Sequence, residues 1–203
     1  MASSTRYYKK TSLHFGWKLN LIISFFVSLL LSSSIVFAAT NSILIKEADL
    51  QLVDDFYLLN AEISIDFDAE IEEAINKGVP LHFLIEFQVV SPRKYWFDDE
   101  IITTTNRVVL SYHALTKQYL VNRETHQKSF ETLDEAVDEL LQLTDLKVFE
   151  KVLIEKDANY KAALLMRLDQ AKLPKAIQVD AIASEKWNIT SQKYEWPLKP
   201  PAK

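Results

Sequence analysis

From Leu81 to Val89 every second residue is large and apolar: Leu81, Phe83, Ile85, Phe87 and Val89. A period of two marks a strand with one face in a core. Two β-rich runs, ILIKEADLQLV and FYLLNAEISIDF, flank Asp54–Asp55 and predict a hairpin. IITTTNRVVLSYHAL and KQYLVN read as further strands, with RETH turning the chain back into QKSF. LKVFEKVLIE and YKAALLMRLD are expected to pair as a hairpin about KDAN, and WNITSQKYEW to form one last strand.

The helical period appears in three shorter places. In DAEIEEAINKG, residues Ile71, Ala74 and Ile75 share a face. Asp68 stands where a carboxylate accepts the free N–H groups of a first turn, and Gly78 suits the left-handed stop. Leu133, Ala136, Val137, Leu140 and Leu141 recur at helical spacing behind Thr132 and Glu135, a capping-box pair. LPKAIQVDAIAS reads as a short helix with Pro174 in its first turn. Strands and helices interleaved with short connections predict an α+β fold: a mainly antiparallel sheet with two or three short helices. The pattern leaves open whether the sheet folds over as a sandwich.

Charge separates the two ends of the chain. Residues 1–38 hold Arg6, Lys9, Lys10 and Lys18 and no acid; the remaining 19 bases face all 28 acids, a balance of −9. An acidic body excludes nucleic-acid binding by bulk electrostatics. The basic start leads into LIISFFVSLLLSSSIVFAA, Leu21–Ala39, an uncharged apolar run. Its closing VFA has the small-residue spacing of a signal-peptidase site, so residues 1–38 are expected to be an export signal cleaved after Ala38. The alternative is an uncleaved anchor in the inner membrane, which the five serines in the run weaken. Either way the acidic body is placed in the periplasm, and membrane contact is confined to the N-terminal segment. With no cysteine, that body depends on its core rather than on disulfides. Residues 39–196 are expected to be one domain, and 197–203, PLKPPAK, a frayed tail.

The one stretch that resembles an acid–base or metal site is YWFDDE, Tyr95–Glu100. It falls where two long strands need a connection, and Asp is a turn former because its carboxylate bonds nearby backbone. A calcium loop needs spaced oxygen ligands and a glycine at the bend, and glycosidic hydrolysis needs carboxylates facing across a cleft. Neither pattern is present, so a hairpin tip is expected, with Tyr95 and Trp96 packed at its base. His82, His113 and His126 lack zinc-ligand spacing. There is no G-x-S-x-G elbow. Gly78 is the only glycine after Ala38, which removes glycine-rich phosphate loops. No metal or cofactor is expected.

Two aromatic groupings stand beside charges: Arg93, Lys94, Tyr95 and Trp96, and then Trp187, Tyr194 and Trp196. Amphipathic rings next to bases suit sugars, lipid headgroups or a protein partner, and they also close the ends of cores. The recognition surface expected here is Arg93, Tyr95 and Trp96, with Trp187 as a neighbour.

Six blocks occur in order: GVPLHFLIEF, RKYWFDDEI, LSYHALTKQYLV, LDEAVDEL, RLDQAKLPKAIQV and WNITS. Together, over about residues 43–196, they resemble the exported proteobacterial family known as domain of unknown function 4390. The chain has Ala176 where members of that family often carry a second proline after LPK. The resemblance implies a Gram-negative envelope location and a tie to a sensor kinase of the nitrogen-regulation type, and it brings no catalytic residues. The leading expectation is a non-catalytic periplasmic binding or accessory domain that recognises an envelope protein partner. The alternative is a carrier or sensor of an apolar or envelope-derived ligand held between sheet and helices. Third stands a hydrolase using Asp98, Asp99 or Glu100 with His113.

Overall fold

The computed structural model describes residues 42–124, 126–155 and 158–198, so the expected export signal lies outside the described residues. Strand β1 (Ser42–Val53) turns at Asp54–Asp55 into β2 (Phe56–Ile65), as the sequence predicts. Asp54 takes a φ of 55°, a conformation that its short polar side chain tolerates.

Helix α1 (Ala69–Asn76) follows, capped by Asp68, whose Oδ1 accepts the Ile71 N–H at 2.9 Å. Ile71 and Ile75 are fully buried, and Gly78 at a φ of 89° ends the turn. Next come β3 (Leu81–Ser91), β4 (Asp99–His113), β5 (Gln118–Arg123) and β6 (His126–Phe130), a meander of antiparallel neighbours. Helix α2 (Leu133–Leu141) is capped by Thr132, which accepts the Glu135 N–H at 3.3 Å.

Strand β7 (Leu143–Glu150) leads through a 3-10 turn, Lys151–Leu153, to β8 (Tyr160–Leu168). The expected β7–β8 hairpin does not form. Strand β7 pairs with β2, while β8 pairs with β3 on one side and with β9 and β10 on the other. Burial accords with that central place: Ala162, Leu164, Met166 and Leu168 are buried on one face of β8, and Ala163 on the other. Helix α3 (Lys175–Ala183) starts one residue after Pro174. The single last strand expected is two: β9 (Thr190–Ser191), parallel to β1, and β10 (Tyr194–Leu198), antiparallel to β8. Strand β10 runs into the predicted tail. It accepts Pro197 because it has a ladder partner on one side only.

All ten strands among the described residues belong to one mixed, mostly antiparallel sheet in the order β6-β5-β4-β3-β8-β9-β1-β2-β7, with β10 on β8. It is a single sheet that curls into a half-barrel rather than two stacked sheets. The curl brings the last strand back toward the fourth: Thr104 Oγ1 on β4 donates to the Val148 carbonyl on β7 at 2.9 Å. The concave face is the core. Leu81, Phe83, Ile85, Phe87 and Val89 are all fully buried there, as their alternation predicts. Phe87 stacks on Phe149 of β7 with centroids 5.9 Å apart, and Phe149 stacks on Tyr57 of β2 at 4.5 Å. Helix α2 packs against β2 as well as β4, β5 and β6, so it joins both wings of the curl.

Strand directions define two ends. The tips of β1–β2 and β3–β4 and the exit of β7 share one end; the start of β1, the β4–β5 turn and β9 lie at the other.

Candidate functional site

The YWFDDE stretch is the tip of the β3–β4 hairpin. The ladder closes at Ser91–Asp99, leaving residues 92–98 as the loop. Two of the acids serve that closure, and Glu100 bonds along β4. Asp98 Oδ1 accepts the Arg93 N–H at 3.2 Å, Asp99 pairs with the Arg93 guanidinium, and Glu100 accepts the Thr103 hydroxyl at 2.5 Å. With Asp98 and Asp99 bonded back to Arg93, the three rings between Arg93 and Asp98 are turned out.

Tyr95 is 86% exposed, Trp96 74% and Phe97 87%. They do not pack at the base of the hairpin, contrary to the expectation from sequence. Seven loop residues reaching past the end of the sheet leave the rings nothing to pack on. Lys94 approaches one of them, with its ammonium 5.3 Å from the Tyr95 centroid. Leaving such rings in water forgoes about 2–3 kcal/mol of burial energy each. A run of large exposed apolar side chains is the usual sign of a surface that something else covers.

The same end displays Val53, Ile101, Val152 and Leu153, all exposed. The Lys151 N–H donates to the Asp55 carbonyl at 2.8 Å, tying the turn that carries Val152 and Leu153 to the β1–β2 tip. Asp54, Asp55, Asp98 and Glu100 edge this apolar end with negative charge. Phe97 escaped the sequence reading, which stopped at the two amphipathic rings. Val152 and Leu153 gave no signal, because LKVFEKVLIE reads as continuous strand.

Trp187 is not part of this surface. It is 3% exposed, in a 3-10 turn just before β9, and its carbonyl accepts from Gln170 Nε2 at 2.9 Å. That position is past the far end of β8, opposite the tip. Tyr194 and Trp196 are likewise core partners, Trp196 with its centroid 6.2 Å from Phe87. The structure therefore brings together Arg93, Tyr95 and Trp96 and excludes Trp187.

The acid–histidine set does not assemble either. Asp98–Glu100 stand at the start of β4 and His113 at its end, roughly 45 Å apart over a strand of fifteen residues at ~3.3 Å per residue. His113 Nδ1 instead contacts the Thr116 hydroxyl at 2.9 Å within the β4–β5 turn. Among the described residues no three His, Asp or Glu side chains are grouped to share a metal ion. His82 is held below the ordinary histidine value, first by burial and then by Arg107 and Lys172, with Asp169 opposing. Its Nδ1 is buried with no hydrogen-bond partner among the described residues. Two clefts flank β7, of about 510 and 430 Å³, and both are open and lined by a mixture of charged, polar and apolar side chains.

Comparison with known proteins gives one result. The family model described as domain of unknown function (DUF4390) matches residues 40–197, and the chain belongs to that family. No curated protein and no solved structure matches.

Proposed function

We propose that this DUF4390 member is a non-catalytic binding domain of the periplasm whose β3–β4 tip engages an envelope protein partner. The observation that carries this reading is the consecutive exposure of Tyr95, Trp96 and Phe97 on a hairpin held by a ladder of eleven paired positions. A rigid scaffold displaying aromatic side chains on a strand-end loop is how binding energy is commonly concentrated. Around the rings Asp54, Asp55, Asp98 and Glu100 outnumber Lys94 and Lys151, and this suits a partner with an apolar pocket and a mainly basic rim. The same acids disfavour an anionic bilayer as the target, since its surface potential repels them. An accessory role beside an envelope sensor kinase is the narrower form of this reading.

The test is crosslinking in producing cells with Trp96→Ala. The ring is exposed, so the melting temperature stays within a few degrees of wild type, as surface substitutions do. Captured partner is lost, because aromatic hot spots cost about 2 kcal/mol or more when truncated. Normal capture by the folded variant rules out the tip.

A further inference from the structure

Strands β4 and β7 are where the curled sheet fails to close. Strand β5 pairs with β4 only over Val108–His113, so residues 99–107 of β4 present an edge with no ladder partner there. Strand β7 pairs only with β2, which leaves its outer edge open. The two edges approach each other around the Thr104–Val148 hydrogen bond. Toward the β4–β5 turn they part around the 430 Å³ cleft, between Asn106–Arg107 on one side and Leu143–Lys147 on the other, with Glu139 and Gln142 at the end of α2. We propose that this seam seats an extended acidic peptide segment of a partner protein. It is a site separate from the hairpin tip and does not depend on it.

Two features give the seam its chemistry. Strand edges without ladder partners offer backbone N–H and C=O groups, which favour an added strand. The lining also carries four bases, Arg107, Arg123, Lys128 and Lys147, against three carboxylates, in a body whose balance is −9. Lys128 is engaged with Glu139 at 2.9 Å, and Arg123 donates to the last carbonyls of α2. Arg107 stays 3.9 Å from Asp169, a loose pairing, while Lys147 holds its ammonium 3.1 Å from the Phe56 ring centroid. The Asn106 side-chain Nδ2 is buried with no hydrogen-bond partner among the described residues, a donor that needs an acceptor. Acidic side chains at alternate positions of an extended segment lie about 7 Å apart on one face, a spacing that suits charges spread along a strand. A small anion would satisfy the bases and leave the strand edges unused.

The test uses the full 203-residue chain in mild detergent and an end-blocked, fluorescein-labelled peptide, Val-Glu-Val-Glu-Val, read by fluorescence anisotropy. Saturable binding is expected, weakened about tenfold or more when both Glu are replaced by Gln, and by a similar factor in the Arg107→Glu, Lys147→Glu double variant. A benzophenone at the central position should crosslink to residues 106–107 or 143–147, a readout on the unaltered chain that stands even if the double variant fails to fold. Equal binding of the Gln peptide, crosslinks elsewhere, or no saturable binding would overturn the proposal. So would displacement by N-acetylglutamate amide at the peptide's own concentration, which would make the seam an anion pocket rather than a strand seat.

Discussion

Arg123 shows how a single charged side chain can fasten two elements. Its Nη2 on β5 reaches the carbonyls of Glu139, Leu140 and Gln142 at 2.9–3.2 Å, groups that a helix end leaves without partners. Burial lowers its pKa, yet a guanidinium keeps its proton and meets the negative end of the helix dipole. Arg123→Met should therefore destabilise the fold by about 1.5–3 kcal/mol, the range for hydrogen bonds to charged groups, measured by urea denaturation. His82 adds a pH dependence. Its folded pKa lies below the ordinary histidine value of 6.5, so the unfolded chain binds the proton more readily. Its contribution to stability is fully present above about pH 6.5 and is lost as pH falls through the lowered folded value. His82→Gln should flatten the fall in melting temperature between about pH 7.5 and 5 relative to wild type. An unchanged slope would place that histidine outside the titration.

At the scale of elements, local chemistry was the legible part. Asp68 and Thr132 cap the helices they precede in the sequence pattern, and Gly78 stops α1, because each acts within four residues of itself. Gly78→Ala tests this directly. The added Cβ would meet nothing closer than the Tyr112 carbonyl oxygen at 3.8 Å, so the cost is backbone strain at positive φ alone, about 1–2 kcal/mol. A larger loss, read from the denaturant midpoint at constant slope, would point to packing instead. The YWFDDE hairpin was legible for the same reason, since its acids bond within the loop. What lay beyond the pattern was the destination of its rings. Alternation says which face of a strand is buried and says nothing of a loop that extends past the sheet. Trp187 misled in the opposite sense: beside exposed Lys186 and Asn188 it reads as a surface ring, and tertiary packing buries it.

For the whole molecule, the class of fold was legible and the strand order was not. Strand β7 and strand β8 are consecutive and both apolar, and the sequence holds no local mark that sends one to β2 and the other to β3. Long-range packing decides it, through contacts such as Phe87 on β3 against Phe149 on β7. Phe87→Ala should cost about 3–5 kcal/mol, as for other buried aromatic truncations, and loosen both wings of the curl together. A loss under about 1 kcal/mol would mean that the curl is held elsewhere.

The same topology sets the tip and the β4–β5 turn at opposite ends, which provides an internal control. Leu115 in that turn is 91% exposed, as open to solvent as Phe97. The most direct measurement is photocrosslinking in producing cells from a benzophenone residue placed at position 97 or at position 115. A discrete adduct from position 97, absent from position 115 and removed by Trp96→Ala, is the result this account predicts. Equal adducts from both ends, or one from position 115 alone, would contradict it.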